Sequence, residues 1–438
     1  MTSIVNSRTC RYVDLVGLWC ALGYAALALL ARQSGEPDLR AFFLFVAWTS
    51  LPVFSLYLYC HRRGEPFPLG RLIFWAVAFR IFGLLGGPIY EDDFYRYLWD
   101  GYRFATTGTP YGAVPEAFFT APGVPAIFHG ILNGINYPEL PTIYAPVTQV
   151  VFLLAYWLKP GSIVALQAIL ILIDLGTIAL LLRLAPAGNV MLYAWCPLVV
   201  KEIAFTAHPD GIGVCLLLAA IVLSQNHRWR SAAACLGMAV GAKIFALVMV
   251  PLVLVGAGFG HWILFGVILA VLYVPFVLQG GTDVESLLVF AREWEFNSAA
   301  FGLFTTVLQP FQAKFVLGLL CAVFWGHYYF RYSRSGVRKV PGGDWLYGAL
   351  LAASPVINPW YLLWLLPFAA ITPSVSAWTF SVTVFLGYVT GLNLIDDGLQ
   401  PYQHPAWVRP VEYGLVLPAL AFDLFRRRSA GFGNRVNN

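Results

Sequence analysis

Long apolar runs alternate with short polar connections along most of this chain. A helix needs roughly 20 apolar residues to cross a bilayer, and runs close to that length recur throughout. The clear candidates for membrane spans cover 13–30, 41–59, 72–90, 142–158, 163–182, 209–224, 262–278, 315–330, 374–391 and 410–425. The pattern predicts an all-α polytopic membrane protein in which residues 1–438 form a single transmembrane domain.

Lysine and arginine in the short connections set the expected orientation. They concentrate at 61–71, 227–230, 331–339 and 426–428, and such loops usually face the cytoplasm. The polar loops at 91–140, 279–312 and 392–409 then face the other side. We expect a multi-pass protein of the cell inner or plasma membrane, with its polar loops on the extracytoplasmic face.

Three further apolar stretches are less regular, and the loop orientations constrain two of them. Residues 231–256 and 345–371 each have to reach the outer side and return. Their natural breaks are Gly241-Ala242-Lys243 and Asn358-Pro359-Trp360. Broken helices at membrane depth persist only where protein surrounds them or where they line a wet cavity. Both breaks are therefore predicted to form cavity walls.

The third stretch, 190–207, leaves two paths open. Either 163–182 crosses once and 190–207 dips back, or one of these runs forms a short hairpin. Both paths leave His208 and Asp210 on the outer side.

Composition excludes several classes of protein. Hydrophobic residues make up 59% of the chain and charged residues 11%, whereas soluble domains carry roughly 25% charged residues. A soluble enzyme, a disordered chain and a nucleic-acid binder are all poor interpretations. The seven cysteines include no CxxC pair, so neither a disulfide framework nor a zinc site is indicated. Membrane lipids are the expected surroundings.

The densest polar cluster follows the third predicted span. Glu91, Asp92 and Asp93 are consecutive, and the aromatic-rich run after them has helical spacing. This run predicts a short helix at the membrane interface. Three acids at the end of a span are costly unless water, a cation or a basic substrate is near. A solvated loop start beside an aromatic belt is the alternative.

Carboxylates at this place suit base catalysis. One can accept the proton of an incoming hydroxyl group, and a second can orient the acceptor or hold a divalent cation. A divalent cation is thus a possible cofactor, although no residue is assigned as a metal ligand. Lys243, at the break in 231–256, could stabilise a phosphate leaving group. Arg80 is expected to pair with Asp174 inside the bundle instead.

Other residues are candidates for substrate binding, each with a structural alternative. His208 and Asp210 could position an acceptor sugar or form only a turn. Trp294 and Trp360 could stack on sugar rings, or serve as interfacial or structural residues. Arg409 could contact a phosphate or anchor its helix by snorkelling. The remaining substrate-binding candidates are Glu91, Arg96 and Tyr144.

Several of these motifs together resemble a known family. Residues 91–101, Glu-Asp-Asp-Phe-Tyr-Arg-Tyr-Leu-Trp-Asp-Gly, and then Gly108-Thr109-Pro110-Tyr111 resemble the first outer loop of GT-C integral-membrane glycosyltransferases. The similarity is greatest to mannosyltransferase-like members that use polyprenyl-phosphate sugars. Further motifs follow in the family's order across about residues 70–370, at 137–146, 201–211, 241–243 and 358–361.

The resemblance implies a fold and a reaction. The fold is a GT-C-like bundle of about 11–14 transmembrane helices, some broken, with short interfacial helices in an outer loop. The reaction is an inverting transfer of a hexose, expected to be mannose, from a polyprenyl-phosphate donor to a lipid-linked or glycan acceptor. It uses no nucleotide sugar, and an acid of the first outer loop is the base, which here means Asp92 or Asp93.

Two other functions fit some of the same features. Broken helices beside a cavity also suit a membrane transporter or lipid flippase, but the acids cluster at a span's end and no inverted repeat is visible. A non-catalytic scaffold for cell-envelope enzymes is the third hypothesis.

Overall fold

The computed structural model describes residues 6–33, 37–335, 340–394 and 398–436, with side chains described as far as 427. Residues 336–339 of the predicted basic loop and 395–397 of the predicted third outer loop lie outside the described residues, as does the side chain of Arg428. The described ranges are mainly helical and contain no β-strand, only one isolated parallel bridge between Phe296 and Val356. An all-helical fold is thus confirmed.

The chain divides into two compact units. The first comprises residues 1–294 and 329–341, and the second comprises residues 295–328 and 342–438. The helices that begin in the first unit are α1 (Ser7–Leu30), α2 (Leu39–Arg63), α3 (Leu69–Gly86), α4 (Phe94–Thr107), α5 (Ala126–Leu132), α6 (Pro146–Leu158), α7 (Ile163–Leu184), α8 (Ala187–Ala194), α9 (Pro197–Val200), α10 (Asp210–Gln225), α11 (Trp229–Ala242), α12 (Val250–Val253), α13 (Phe259–Val277) and α14 (Val284–Glu293).

The second unit is smaller. Its helices are α15 (Ala300–Phe304), α16 (Pro310–Arg334, whose last residues belong to the first unit), α17 (Gly343–Ala353), α18 (Leu366–Ile371), α19 (Val375–Thr383), α20 (Gly391–Leu394) and α21 (Val408–Val436). Short 3-10 helices add Pro115–Phe118, Ile244–Met249, Pro359–Trp364 and Val384–Tyr388, and one π-helical turn covers Lys201–Phe205.

Six helices in the described part of the chain are long and apolar enough to cross a membrane: α1, α2, α3, α7, α13 and α16. A seventh span results if the segment Pro197–Phe205 and α10, which are bent by 117°, are counted as one. Of the remaining predicted spans, 142–158, 209–224 and 374–391 are shorter or interrupted helices, whereas 410–425 lies within the 29-residue helix α21. Six apolar helices of this length indicate a multi-pass membrane protein.

Both predicted chain breaks are present. Helix α11 ends at Ala242, Lys243 has an extended backbone (φ −161°, ψ 135°), and a 3-10 helix follows. In the second unit, α17 ends at Ala353 and Pro359 begins another 3-10 helix. In each case the chain leaves the α-helix at or close to the predicted residues, so both breaks are confirmed.

The path between 159 and 209 is now defined in the structure. Helix α7 is continuous over Ile163–Leu184, whereas the next stretch is broken into α8, α9 and the π-helical turn before α10 begins. This arrangement agrees with a single crossing by α7 followed by an irregular segment. Pro186, Pro197 and Pro209 each precede or open a helix, because proline lacks the amide that a helix interior requires.

A buried ion pair holds α3 against α7. The Arg80 Nε donates to Asp174 Oδ2 at 2.7 Å, and both side chains are 1% exposed. Arg80 also donates to the carbonyl of Ala194 at 2.9 Å, and the Tyr193 hydroxyl donates to Asp174 at 2.7 Å. The predicted pairing is confirmed, and these further bonds satisfy the two charges that burial would otherwise make costly.

Two glycines let the site elements approach each other. A Cβ at Gly101 of α4 would lie 2.5 Å from the carbonyl oxygen of Phe152 in α6. A Cβ at Gly83 of α3 would lie 2.5 Å from the carbonyl oxygen of Ala204 in the π-helical turn. Larger side chains would push α4 from α6 and α3 from the turn, so these contacts fix the elements that carry the polar cluster described next.

Candidate functional site

The acidic run lies at the start of α4, as predicted. Asp93 is the residue before the helix, and the backbone carbonyls of Asp92 and Asp93 accept from the amides of Tyr95 (3.0 Å) and Arg96 (2.9 Å). Tyr90, just before the acids, has a positive φ of 59°. That conformation is strained for a bulky residue, and it turns the chain sharply so that the three acids follow the end of α3.

Asp93 is held by two tyrosines. The hydroxyls of Tyr97 and Tyr144 both reach its Oδ2, at 3.4 Å and 3.3 Å. Among the described residues, none forms a hydrogen bond with its Oδ1. The Tyr97 hydroxyl also lies 3.2 Å from Nδ1 of His208. Asp93, Tyr97 and His208 therefore form a continuous series of polar contacts that links α4 to the turn before α10.

Asp92 has a different environment. It accepts a hydrogen bond from the side-chain amide of Asn136. Arg96 fixes the loop that carries Asn136, because its guanidinium donates to the carbonyls of Leu140 (3.0 Å) and Tyr137 (2.9 Å) and, more weakly, Asn136 (3.3 Å). Arg96 therefore positions this loop. Its role in substrate binding stays a prediction.

Basic residues reach the cluster from two chain breaks. Lys243, at the end of α11, donates to Asp210 Oδ1 at 2.6 Å; the lysine side chain is 23% exposed and the aspartate 1%. In the π-helical turn, Lys201 Nζ lies 3.3 Å from Glu202 Oε1, and both are buried. His208 Nε2 lies 3.5 Å from Glu202 Oε2. Cations from α11 and from the π-helical turn thus face the acids of α4.

Burial raises the pKa of all three consecutive acids. The pKa of Asp92 rises to about 6, chiefly through desolvation and also through the charge of Asp93. Desolvation also raises the pKa of Glu91, against the opposing charge of Lys201. The pKa of Asp93 is raised by desolvation, while the bond from Tyr144 and the charges of Arg96 and Lys243 act in the opposite direction. Asp93 therefore lies within electrostatic range of Lys243.

A second polar network lies one and a half to two helical turns further along α4. Buried Asp100 accepts from the Thr142 hydroxyl and from Gln149 Nε2 (2.8 Å), and Gln149 also lies 3.0 Å from Thr142. Desolvation raises the pKa of Asp100 to about 6. The network ties α4 to the start of α6 and to the segment that carries Tyr144, and so it holds that tyrosine against Asp93.

Most of the predicted site residues meet in the first unit. The predicted residues that lie together there are Glu91, Asp92, Asp93, Arg96, Tyr144, His208, Asp210 and Lys243. Trp294 belongs to the same unit, where its ring packs on Tyr137 with centroids 4.6 Å apart. Trp360 and Arg409 belong to the second unit, and Arg409 Nη1 there lies 3.6 Å from Glu295 Oε1.

Sequence reasoning did not select Tyr97, Asn136 or Glu202. Tyr97 follows Asp93 by four residues, the spacing at which side chains on a helix face each other, so that contact could have been found. Glu202 beside Lys201 in an apolar run was a usable sign as well, since intramembrane charges are rarely unpaired. The contact of Asn136 with Asp92 crosses a long loop and left no local sign.

The described residues include no group of three or more His, Cys, Asp or Glu side chains arranged to hold a metal ion.

No protein-family model, curated protein or solved structure matches this chain.

Proposed function

We propose that the protein is a membrane glycosyltransferase of GT-C type that moves a hexose, mannose in the first instance, from a polyprenyl-phosphate donor to a lipid-linked or glycan acceptor. Transfer takes place at the extracytoplasmic face with inversion at the anomeric carbon. One observation carries the proposal: a carboxylate with an open oxygen, Asp93, and a partly exposed ammonium group, Lys243, reach one cluster from distant parts of the chain.

The bond changes follow from that arrangement. Asp93 takes the proton of an acceptor hydroxyl group, and the acceptor oxygen attacks the anomeric carbon of the donor sugar. The bond between that carbon and the phosphate oxygen breaks, and the phosphate leaves with the electron pair. Lys243 stabilises the negative charge that grows on the phosphate. Attack from the side opposite the leaving group inverts the anomeric centre.

The choice of Asp93 over Asp92 rests on their partners. Asp93 lies within range of the Lys243 charge and has hydrogen bonds recorded only at Oδ2, which leaves Oδ1 for the acceptor. Asp92 accepts a hydrogen bond from Asn136, which lies on the loop that Arg96 holds in place by hydrogen bonds. We assign Asp92 the role of orienting the loop or the acceptor.

The test compares two single substitutions. Asp93→Asn is expected to lower hexose transfer from a polyprenyl-phosphate donor by about 100- to 10,000-fold, the range for a general base. Asp92→Asn should lower it by much less. Glu116→Gln is the matched control, because Glu116 is an exposed acid of the same loop. Full activity in Asp93→Asn would overturn the assignment of the base.

A transporter or flippase is the alternative, and the 117° bend before α10 favours it to a degree, since bent helix pairs also line transport paths. Purified protein in liposomes, given labelled donor lipid on one side and an acceptor preparation on the other, separates the two functions. A labelled product supports the transferase, whereas movement of unmodified lipid without a product supports the transporter.

A further inference from the structure

The Tyr97 hydroxyl has one proton and three neighbours that can accept it: Asp93, His208 and the Tyr144 hydroxyl. The Tyr97 oxygen lies 3.4 Å from Asp93 Oδ2 and 3.2 Å from His208 Nδ1. The ring cannot move away from either, because it stacks on Phe152 at 4.8 Å and meets Tyr144 edge-on at 5.0 Å. A fixed hydroxyl group with several acceptors can donate to only one of them at a time, by rotation of its proton.

His208 Nδ1 is an acceptor in the tautomer that carries its proton on Nε2. The ring is buried, its Nε2 faces Glu202 Oε2 at 3.5 Å, and its backbone amide donates to the Glu202 carbonyl at 2.8 Å. Burial lowers the pKa of the ring, and the charges of Lys201 and Lys243 act in the same direction, so the neutral form is favoured. With the proton on Nε2 toward the carboxylate, Nδ1 carries a lone pair. Ala207, at φ 60°, holds the turn that presents the ring.

We infer that Tyr97 is a hydrogen-bond switch between Asp93 and His208, and that His208 is thereby a positioning residue that makes Asp93 a stronger base. The inference rests on the proposed function. Before reaction, Tyr97 donates to the Asp93 carboxylate. After Asp93 has taken a proton from the acceptor at Oδ1, the Tyr97 hydroxyl turns to His208, because a neutral carboxyl group accepts a hydrogen bond more weakly than a carboxylate does. No proton leaves Tyr97 in this change.

The switch affects the proton affinity of Asp93 in a defined direction. A donor that is fixed on a carboxylate stabilises the charged form and weakens the base. His208 offers Tyr97 a second acceptor and so lowers the cost of protonating Asp93. The Tyr144 hydroxyl donates to the same oxygen, and in place of a histidine its other hydrogen-bond partner is the Tyr97 hydroxyl. The two tyrosines, at nearly equal distances, thus provide a matched pair.

The other groups that face Asp93 are Arg96 and Lys243, which favour its charged form, and Glu91 and Asp92, which oppose it. None of these is altered by exchanges at 97, 144 or 208. A change in the titration of Asp93 in such variants can therefore be traced to the tyrosine hydroxyls and the imidazole.

The experiment titrates Asp93 directly, without substrate. The infrared band of its protonated carboxyl group, assigned by its loss in Asp93→Asn, is followed against pH in the full-length protein in detergent. His208→Phe is expected to lower the pKa of Asp93 by about one unit, because Tyr97 is then committed to the carboxylate. The same exchange in a Tyr97→Phe background should have no effect, whereas in a Tyr144→Phe background the shift should persist. His208→Asn, which can present an amide oxygen near the position of Nδ1, should restore most of the wild-type value.

Equal shifts from His208→Phe in all three backgrounds, or no shift in any, would overturn the switch. A second comparison uses no exchange at 208: Tyr144→Phe should raise the pKa of Asp93 more than Tyr97→Phe does, and an equal or reversed order would also overturn it. Because the readout needs no sugar transfer, a protein that titrates as expected but transfers no hexose would contradict the proposed function and leave the switch standing.

Discussion

Two ion pairs of the first unit have similar chemistry and opposite surroundings. Arg80 and Asp174 join α3 to α7 with both side chains 1% exposed, and further bonds from Tyr193 and to Ala194 surround them. Lys243 and Asp210 join the end of α11 to the start of α10, but the lysine is 23% exposed. The first pair is sealed by protein, whereas the second presents a cation that a ligand can reach. Accessibility thus separates the sealed pair from the pair that we propose to act at the site.

The largest expected effect is on the sealed pair. Arg80→Met leaves the buried Asp174 carboxylate without its cation, and removal of one partner of a buried pair costs about 3–5 kcal/mol. Unfolding of the purified protein in detergent measures this loss. Arg71→Met is the control, because the Arg71–Asp14 pair is 41% and 45% exposed and such pairs contribute about 1 kcal/mol or less. Equal losses in both variants would contradict the comparison.

The open pair should respond in activity more than in stability. Lys243→Met is expected to lower transfer about 100-fold, the scale for losing one group that stabilises developing charge. Its effect on unfolding should be smaller than that of Arg80→Met, since Asp210 is the first residue of α10 and the helix N-terminus partly compensates its charge. Kinetics with varied donor, together with unfolding, tests both statements, and Lys159→Met removes an exposed lysine as a control. Unchanged transfer in Lys243→Met would exclude its role at the phosphate.

Lowering the pH should also reduce transfer at the open site, by less than the substitution of Lys243 does. The base has to be deprotonated, and burial raises the pKa of Asp93 and brings that of Asp92 to about 6. Transfer should therefore fall as the pH is lowered from 7 to 5, where an unperturbed aspartate would remain ionised. A pH–rate profile that stays flat down to pH 4.5 would contradict the raised pKa values.

The raised pKa of Asp92 affects folding stability in the direction opposite to the effect of pH on transfer. A carboxyl group whose folded-state pKa is raised contributes stability that is fully present below its unfolded pKa and is lost as the pH rises through the folded value. For Asp92 that window runs from about 4 to about 6. Between pH 7 and pH 5, activity should fall while the contribution of Asp92 to folding stability grows, so the loss of transfer is not a loss of fold.

The sequence was most informative where a local rule applied. The breaks at Gly241–Lys243 and at Asn358–Trp360 followed from loop charges and span length, and the structure has both. The Arg80–Asp174 pair followed from two charges in apolar runs. Residues 90–107 followed from the acids and the helical spacing after them. Each of these expectations required only neighbours in sequence or the rule that a buried charge needs a partner.

The features that the sequence did not predict depend on tertiary contacts or on the length of a helix. Spans expected at 142–158 and 374–391 are a 13-residue helix and an interrupted one, because apolar composition does not reveal where a chain is shielded by protein. The contact between Asn136 and Asp92 joins residues 44 apart, and that between Tyr97 and His208 joins residues 111 apart. No periodic pattern in the sequence predicts contacts between residues so far apart.

The π-helical turn at Lys201–Phe205 has a geometric consequence for the whole cluster. Such a turn amounts to one additional residue inserted into an α-helix, and each residue advances an α-helix by about 100° and 1.5 Å. Deleting a single residue there would rewind the turn and rotate Lys201 and Glu202 away from His208 without removing any of the three. Chain length at this turn, independent of side-chain identity, is thus itself a determinant of which charges meet.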